Sequence, residues 1–352
     1  MALENANSDA PLLPHILTKL PDGLLALPAN RLHEVLPSHT LLHLDGKQTQ
    51  PLFFSLLQHG NETTSWDALR RLLNRYSGQL PRRLVLYFGN LEAAGQGKRV
   101  LRGQPDFNRN WPGTDLPPHP IQPLLGDIAK YVRGLAPFAA VDFHNNSGSN
   151  PYYAAINSVD PKILGLASLF ADIGVHFSYP RGVQAMALLS ACPAITVECG
   201  RVQQTDFIAH TLEFMDRLLN STDLPGAPAP RSFTLYDMAA SLSVAEGIPV
   251  QCGNGPANGA LVLRDDLDDL NFSLLPPGTL FGWCEHPRAL IVRDREGRPT
   301  ANLFLEFTDQ TLTTTRPLMP AMLTLDPDVI RDDCLGYLME SMPFTGSTAI
   351  PG

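Results

Sequence analysis

The stretch PLFFSLLQHGNE, residues 51–62, joins a continuous apolar run to a cluster of polar residues. An uninterrupted apolar run of this length is typical of a strand that is covered on both faces, as in a parallel sheet flanked by helices. FAAVDF, residues 138–143, has the same form and runs into His144. AITV, residues 194–197, likewise runs into Glu198. Ligands of open α/β sheets bind beyond the carboxyl ends of the strands, so we expect the three polar clusters to converge.

Helical patterns alternate with these strands over the first two thirds of the chain. Apolar residues recur at helical spacing in four segments: 65–76, 121–135, 161–173 and 205–219. Strands that alternate with helices of this length are typical of an α/β fold. The sequence therefore predicts a mostly parallel or mixed sheet flanked by helices.

The pattern changes after STDLPGAPAP, residues 221–230, which contains three prolines and one glycine and is typical of a linker. Short β-type runs follow it, among them LVL at 261–263 and NLFLEF at 302–307. We therefore predict four parts, in chain order: an irregular N-terminal extension at 1–45, a catalytic α/β domain at 46–220, a linker at 221–230, and a smaller, mainly β domain at 231–352.

Composition and charge exclude several classes of partner. The 352 residues include 26 basic and 35 acidic side chains, for a net charge of −9, and such a surface repels a phosphate backbone. No stretch reaches the roughly 18–20 apolar residues that span a bilayer, and the first residues lack the pattern of a secretory signal. The five cysteines never occur as CxxC, so we expect reduced thiols. We predict a cytoplasmic protein that binds neither nucleic acid nor membrane.

The polar clusters contain the residue types of a catalytic zinc site. His59 and Glu62, spaced His-x-x-Glu, together with the distant His144, supply two imidazoles and one carboxylate. Three protein ligands leave the fourth tetrahedral position of zinc open for water, whose pKa the metal lowers towards 7. Glu198 then offers a carboxylate that can take the proton of this water and return it to a leaving group. The alternative interpretation is that these are solvated residues at strand ends.

Two further features lie beside these clusters. Asp142 either orients the imidazole of His144 or caps a loop. The loop GKRVLRGQPDFNRNWPG, residues 97–113, carries Arg99, Arg102 and Arg109. Arginine can hold a carboxylate through two parallel hydrogen bonds or stabilise an oxyanion, although ordinary surface ion pairs would explain the same residues.

Four motifs, taken in order, carry a resemblance to a known family. They are HGNE at 59–62, DFNRNWPG at 106–113, DFHNNSG at 142–148 and ITVECG at 195–200. Together they resemble the zinc carboxypeptidase superfamily, and within it the succinylglutamate desuccinylase/aspartoacylase branch, whose HGNE-T, DLNR, DLH and LE-x-G motifs they follow. The resemblance covers roughly residues 50–215 and implies a zinc-carboxypeptidase-like α/β fold.

The resemblance also implies roles for individual residues. It assigns one zinc ion per chain to His59, Glu62 and His144, and it makes Glu198 the general base and acid. Asn108 and Arg109, the NR of DFNR, would hold a substrate carboxylate, and Arg99 would stabilise the oxyanion. Some members use a tyrosine as well, for which this sequence offers four candidates: Tyr152, Tyr153, Tyr236 and Tyr337.

Two departures from the branch bear on the substrate. The branch carries another arginine shortly before the catalytic glutamate, whereas this chain has QAMALLSACPA at 184–194, and Arg181 lies further upstream. The full NRNWPG, residues 108–113, is more similar to the metallocarboxypeptidases than to the desuccinylases.

These observations predict a zinc-dependent amidohydrolase. Its substrate would be a small molecule that bears a carboxylate, namely an N-acyl amino acid or a related small amide, and self-association into a homo-oligomer stays open. One alternative is a metallocarboxypeptidase that acts on short peptides. A second alternative is an inactive homologue that keeps the pocket and only binds a ligand.

Overall fold

A mixed sheet forms the centre of the protein. The computed structural model describes residues 14–76, 78–228, 232–332 and 334–344, and within them this sheet has twelve strands, while a second sheet in the C-terminal region has five. Helices flank the large sheet on both faces. The structure thereby confirms the predicted fold class, a mixed sheet flanked by helices with a smaller β region near the C-terminus.

Strands and helices alternate up to residue 220. In chain order they are β1 (His15–Leu17), β2 (Thr40–Leu44), β3 (Gly46–Leu56), α1 (Thr64–Arg75), β4 (Leu80–Phe88), α2 (Leu91–Gly95), α3 (Ile121–Gly134), β5 (Ala139–His144), β6 (Tyr153–Ile156), α4 (Pro161–Ser168), β7 (Ile173–His176), α5 (Gln184–Leu188), β8 (Ala194–Glu198) and α6 (Thr205–Asn220).

The following region is mainly β structure. Its elements are β9 (Thr234–Val244), β10 (Val250–Cys252), β11 (Leu261–Leu263), β12 (Leu280–Trp283), β13 (Leu290–Asp294), α7 (Ala301–Phe304), β14 (Leu305–Thr308), β15 (Thr311–Thr314), β16 (Met319–Ala321), α8 (Pro327–Asp332) and β17 (Gly336–Ser341). The described helices include none that is long and apolar enough to cross a membrane.

The large sheet takes strands from both regions. Its order is β1-β2-β4-β3-β5-β8-β6-β7-β9-β17-β16, and β13 also pairs with β9. The small sheet has the order β10-β11-β12-β15-β14. Because β9 pairs in parallel with β7, the large sheet continues across the linker-like segment at 221–230. The predicted division into domains stays a prediction.

The central strands are buried on both faces, and this explains their continuous apolar sequence. In β3, Leu52, Phe54 and Leu56 belong to one hydrophobic cluster with α1 and α6, whereas Phe53 belongs to the opposite cluster with α3 and α5. Successive side chains of a strand point to opposite faces, so a strand covered by helices on both sides needs apolar residues at every position.

Two predicted elements differ from the observed ones. The predicted helix at 161–173 ends at Ser168, and its last residue begins strand β7. A short turn at 169–172 separates α4 from β7, and the pairing of β7 with β6 and β9 holds Ile173 in a strand. The predicted strand at 302–307 begins with the short helix α7 and becomes extended at Leu305.

Helix α4 packs closely against the segment that follows α6, and a glycine makes the contact. A Cβ atom at Gly165 would lie only 1.9 Å from the carbonyl oxygen of Pro225. Gly126, in the middle of α3, has no other atom within 4 Å of the equivalent position. The same substitution should therefore have opposite effects at these two helical glycines.

We expect Gly165→Ala to lower the free energy of unfolding by about 1–3 kcal/mol, because the added methyl group overpacks the contact with Pro225. Gly126→Ala should raise it by about 0.4–1 kcal/mol, since alanine restricts the unfolded chain and meets no obstacle in the helix. Urea unfolding of both variants beside the wild type measures the difference. A Gly165→Ala variant as stable as Gly126→Ala would contradict the described packing of α4.

Candidate metal and catalytic site

A cavity lies beyond the carboxyl ends of the central strands, with about 620 Å³ of empty space including its open mouth. Its lining includes every residue that the sequence analysis assigned to the site: His59, Glu62, Arg99, Asn108, Arg109, His144 and Glu198. The three polar clusters and the arginine loop therefore converge, as the strand-end argument predicts.

The turn after β3 delivers His59 and Glu62 to this cavity. Leu57, directly after the strand, has a left-handed backbone with φ of 55°, which is uncommon for a branched side chain. Gly60 then passes so close to α2 that a Cβ atom there would lie 2.1 Å from the backbone nitrogen of Ala94. The glycine of HGNE is thus required by packing, and His59 before it and Glu62 after it line the cavity.

His144 and Glu198 are neighbours because β5 and β8 pair in parallel. The register aligns His144 with Glu198, and the backbone N–H of Cys199 donates to the carbonyl oxygen of His144 at 2.8 Å. On the other side of β8, antiparallel β6 aligns Tyr153 with Glu198. One row across three strands therefore holds an imidazole, a carboxylate and a phenol.

The two imidazoles meet at the carboxylate of Glu62. The Nδ1 atom of His59 lies 2.8 Å from Glu62 Oε1, and the Nδ1 atom of His144 lies 2.7 Å from Glu62 Oε2. The two Nδ1 atoms are 3.1 Å apart. One potential ligand atom from each of the three residues lies within 4.8 Å of the others, so the group can hold a metal ion.

Each imidazole meets a second carboxylate through its other nitrogen. Asp106 Oδ1 lies 3.0 Å from the Nε2 atom of His59, and Asp142 Oδ2 lies 2.9 Å from the Nε2 atom of His144. Carboxylates in these positions favour the tautomer with the proton on Nε2, which leaves the Nδ1 lone pair for a metal. Metal-ligating histidines usually have such a partner, and the arrangement therefore fits a metal site.

The charge balance of the cluster fits a divalent cation as well. Four acidic side chains lie in it or against it: Glu62, Asp106, Asp142 and Glu198. The guanidinium groups of Arg99 and Arg109 line the same cavity. With ionised carboxylates and neutral imidazoles, four negative and two positive charges leave an excess of two negative charges. Buried charge of one sign is costly, and a bound divalent cation would balance it.

The carboxyl group of Glu198 is the least constrained acid of the cavity. The residue is buried, and its Oε2 atom has no hydrogen-bond partner among the described residues. Burial raises the pKa of Glu198 to about 7. Glu62 behaves differently: burial acts to raise its pKa, but the imidazoles of His59 and His144 lower it overall. The two buried glutamates are therefore suited to different tasks, one to proton transfer and the other to ligation.

The arginine loop supplies cations and an amide to the same cavity. Arg99 donates from Nη1 to Glu62 Oε1 at 3.1 Å and from Nη2 to Asp106 Oδ2 at 3.2 Å. The Asn108 side chain is fixed by the backbone N–H of Gln184, which donates to its Oδ1 atom at 3.0 Å. Its Nδ2 atom lies 3.0 Å from the Nε2 atom of His144.

Two residues of the site escaped the sequence analysis although both lie in motifs quoted there. Asp106 opens DFNRNWPG and contacts both His59 and Arg99. Asn145 follows His144 and donates from its backbone N–H to Glu62 Oε2 at 3.2 Å, while its side chain donates to Thr64 and Gly200. Their motif positions were a signal that could have found them.

Among the four candidate tyrosines, Tyr153 and Tyr337 line the cavity. The hydroxyl group of Tyr153 is buried without a hydrogen-bond partner in the described part of the chain. Tyr152 instead stacks on His210, with ring centroids 3.8 Å apart. Tyr236 lies in β9, where it pairs with Val175 of β7.

The region after residue 231 covers one side of the cavity. Met322 and Tyr337 belong to that region and contribute to the lining. The backbone N–H of Met322 donates to Asn150 Oδ1 at 2.8 Å, and a Cβ atom at Gly148 would lie 2.0 Å from the carbonyl oxygen of Leu323. The cavity is therefore closed between the loop after β5 and a loop of the C-terminal region.

Solved structures with the same fold cover most of the chain. The succinylglutamate desuccinylase from Chromobacterium violaceum is similar with a TM-score of 0.56 at 16% identity, over 86% of each chain. Murine aminoacylase 3 is similar with a TM-score of 0.54 at 15% identity, over 84% of this chain and 96% of its own. A succinylglutamate desuccinylase/aspartoacylase from Rhodobacter sphaeroides has a TM-score of 0.53 at 16% identity, over 85% and 88%.

Comparison of the sequence leads to the same family. No curated protein matches the chain at a significant level. A family model described as the succinylglutamate desuccinylase/aspartoacylase catalytic domain matches residues 57–222, which contain all four quoted motifs. The match supports the resemblance that the motifs carry: residues 57–222, a little under half of the chain, are similar to the catalytic domain of the succinylglutamate desuccinylase/aspartoacylase branch.

Proposed function

We propose that this protein is a zinc-dependent hydrolase that cleaves the amide bond of an N-acyl amino acid and releases a carboxylate and an amine. The observation that carries the proposal is the unpartnered carboxylate of Glu198 beside the group formed by His59, Glu62 and His144 in one cavity. The catalytic-domain family supports a deacylase, and two of the similar structures are named as a desuccinylase and an aminoacylase.

His59, Glu62 and His144 would hold the zinc ion through two imidazole nitrogens and one carboxylate. When bound there, zinc would polarise the substrate carbonyl group and make a water molecule more acidic. Asp106 and Asp142 keep the imidazoles in orientation through their Nε2 atoms.

Glu198 would carry the proton. Its carboxylate accepts a proton from the attacking water and then donates this proton to the nitrogen of the leaving amine, so that the residue ends the cycle as it began. A carboxyl group whose pKa lies near 7 is suited to both steps at neutral pH, because neither protonation state is strongly disfavoured.

The arginine loop would bind the substrate. Arg109 and Asn108 hold its carboxylate, since guanidinium and amide donors match carboxylate oxygens. Arg99 stabilises the negative charge that develops on the carbonyl oxygen. The contacts of Arg99 with Glu62 and Asp106 orient its guanidinium group towards the ligand cluster.

The closed side of the cavity favours a small substrate. Met322 and Tyr337 line it, and the contacts of Met322 and Leu323 with the loop after β5 leave little room for a chain that continues beyond the scissile amide. The sequence NRNWPG favours the second candidate, a metallocarboxypeptidase that acts on short peptides. The third candidate is an inactive ligand-binding homologue. The presence of all three candidate metal ligands and of Glu198 argues against it.

The first prediction concerns the metal. Protein purified without added metal and then equilibrated with zinc should contain about one zinc ion per chain by elemental analysis, and His59→Ala should lose it because one of three ligands is gone. His176→Ala is the matched control, since His176 also contacts an acidic residue, Asp237, at 2.8 Å but does not line the cavity. Equal zinc content in all three proteins would contradict the site.

The second prediction concerns the substrate and the base. The zinc-loaded protein should hydrolyse N-acetyl amino acids faster than N-blocked tripeptides with the same C-terminal residue, because the closed cavity admits only the shorter molecule. Glu198→Gln should keep the zinc and lose about 10²–10⁴-fold in turnover, as is usual for removal of a general acid–base group.

Glu213→Gln is the matched control for this substitution, since Glu213 is an exposed glutamate of α6. Its turnover should equal that of the wild type. Faster hydrolysis of the tripeptides would support the carboxypeptidase, and zinc binding without hydrolysis of any substrate would support the inactive homologue. An unchanged rate in Glu198→Gln would remove Glu198 from the mechanism.

The third prediction concerns the carboxylate anchor. Arg109→Ala should raise KM by about 10–100-fold with a smaller effect on kcat, because hydrogen bonds to a charged group are worth about 1.5–3 kcal/mol. Arg109→Lys should recover part of the loss, since it keeps the charge but not the paired donors. An unchanged KM in Arg109→Ala would show that the carboxylate binds elsewhere.

A further inference from the structure

We propose that Gln58 and Trp111 form, with Asp142, a buried positioning chain that holds Asp142 against the Nε2 atom of His144 and so orients the imidazole of this candidate ligand. This inference rests on the proposed zinc site. Neither Gln58 nor Trp111 lines the cavity, and each acts only through the next residue.

The chain consists of three hydrogen bonds in a row. The Nε1–H group of Trp111 donates to Gln58 Oε1 at 2.6 Å, and the Nε2 amide of Gln58 donates to Asp142 Oδ2 at 2.7 Å. The same Asp142 oxygen lies 2.9 Å from the Nε2 atom of His144. Trp111, Gln58 and Asp142 are each fully buried, and His144 is 5% exposed. Water therefore does not compete for these bonds.

The direction of the chain follows from the tryptophan. An indole nitrogen can only donate, so the group that faces it must be the carbonyl oxygen of the Gln58 amide. The NH₂ group of Gln58 then faces Asp142 and must donate to it. A carboxylate that already accepts from Gln58 accepts from His144 as well, which places the imidazole proton on Nε2. The Nδ1 atom faces Glu62 Oε2 at 2.7 Å, and its lone pair becomes available to a cation that displaces the proton from this contact.

The direction of these hydrogen bonds matters because Asn108 competes with Asp142 for the Nε2 atom of His144. The Nδ2 amide of Asn108 also lies 3.0 Å from the Nε2 atom of His144, and donation from it would favour the opposite tautomer, with the proton on Nδ1. That tautomer cannot ligate a metal through Nδ1. A hydrogen bond to a carboxylate is roughly twice as strong as one between neutral groups, so Asp142 prevails while Gln58 holds it in place.

Substitutions of Gln58 should therefore act on the metal rather than only on the fold. We expect Gln58→Leu, which is similar in size and cannot hydrogen-bond, to weaken Zn²⁺ binding by about 10–100-fold, the usual effect of losing support behind a metal ligand. Trp111→Phe keeps a buried aromatic ring but removes the donor together with the second ring of the indole, and it should weaken binding by about 3–10-fold. In the double variant, Trp111→Phe should add nothing, because its effect passes through Gln58.

Tyr87→Phe is the matched control. Tyr87 is fully buried, its ring lies 5.6 Å from that of Trp111, and its hydroxyl group makes a 2.8 Å hydrogen bond with His39. The variant loses a buried hydrogen bond of the same core, but it keeps all three hydrogen bonds that link Trp111 to His144. It should bind Zn²⁺ as tightly as the wild type.

The experiment measures the dissociation constant of Zn²⁺ for the five proteins by competition with a chromogenic chelator, and the melting temperature of each in the metal-free state. Histidine-selective ¹⁵N spectra of the metal-free proteins report the tautomer of His144. The proposal predicts weaker binding and a loss of the Nε2–H signal in Gln58→Leu, with neither change in Tyr87→Phe.

Two results would overturn the proposal and leave the proposed function intact: wild-type affinity in Gln58→Leu, or additive losses in the double variant. Equal weakening in Tyr87→Phe and Trp111→Phe would also overturn it, because loss of core packing would then explain both. A wild-type protein that binds no Zn²⁺ would overturn the proposed function and this inference together.

Discussion

The parallel pairing of three central strands is the constraint on which the candidate site depends. Ser55 of β3 aligns with Asp142 of β5, and His144 of β5 aligns with Glu198 of β8. A slip of one residue would turn the side chains of a strand to the opposite face of the sheet. Such a slip would also bury the wrong apolar residues, since alternate side chains pack against different helices. The packing of the core thereby holds the site in register.

Burial of charged groups costs free energy unless they are paired or hydrogen-bonded, and the residues around the site supply such partners. The carboxylate of Glu62 is 5% exposed, yet it contacts two imidazoles, the guanidinium group of Arg99 and the backbone N–H of Asn145. Glu198, at similar burial, has an unpartnered oxygen and a raised pKa. One cavity thus contains a hydrogen-bonded carboxylate, that of Glu62, and one with an unbonded oxygen among the described residues, that of Glu198. This difference in surroundings suits two glutamates to different chemical roles.

The sequence predicts which residues meet wherever a candidate residue lies at or shortly after the end of a strand. His144 and Glu198 are the last residues of β5 and β8, and His59 follows the end of β3 by three residues, so the α/β pattern is enough to predict that all three line one cavity. The helices α1, α3 and α6 also lie within one residue of their predicted ends at both termini, because each has a regular apolar face and borders a loop.

The pattern fails where position depends on contacts distant in the chain. Asp106 lies in a loop rich in glycine and proline, and only the folded loop brings it to His59, 47 residues away in sequence. Gln58 and Trp111 lie beside polar motif residues, but nothing in either motif indicates that the two side chains bond to each other across 53 residues. Strand β7 was not predicted for the same reason, since its pairing with β6 and β9 decides its conformation.

The loop after β5 joins the closure of the cavity to the placement of Glu62. Its first residue, Asn145, donates to Glu62, and Asn150, further along the loop, accepts the backbone N–H of Met322. Between them, Gly148 lets the carbonyl oxygen of Leu323 approach to a distance that any side chain would prevent. The C-terminal region therefore does more than line the cavity. Its contacts with Asn150 and Gly148 hold the loop, and the same loop provides the backbone N–H of Asn145 that bonds to the candidate metal ligand Glu62.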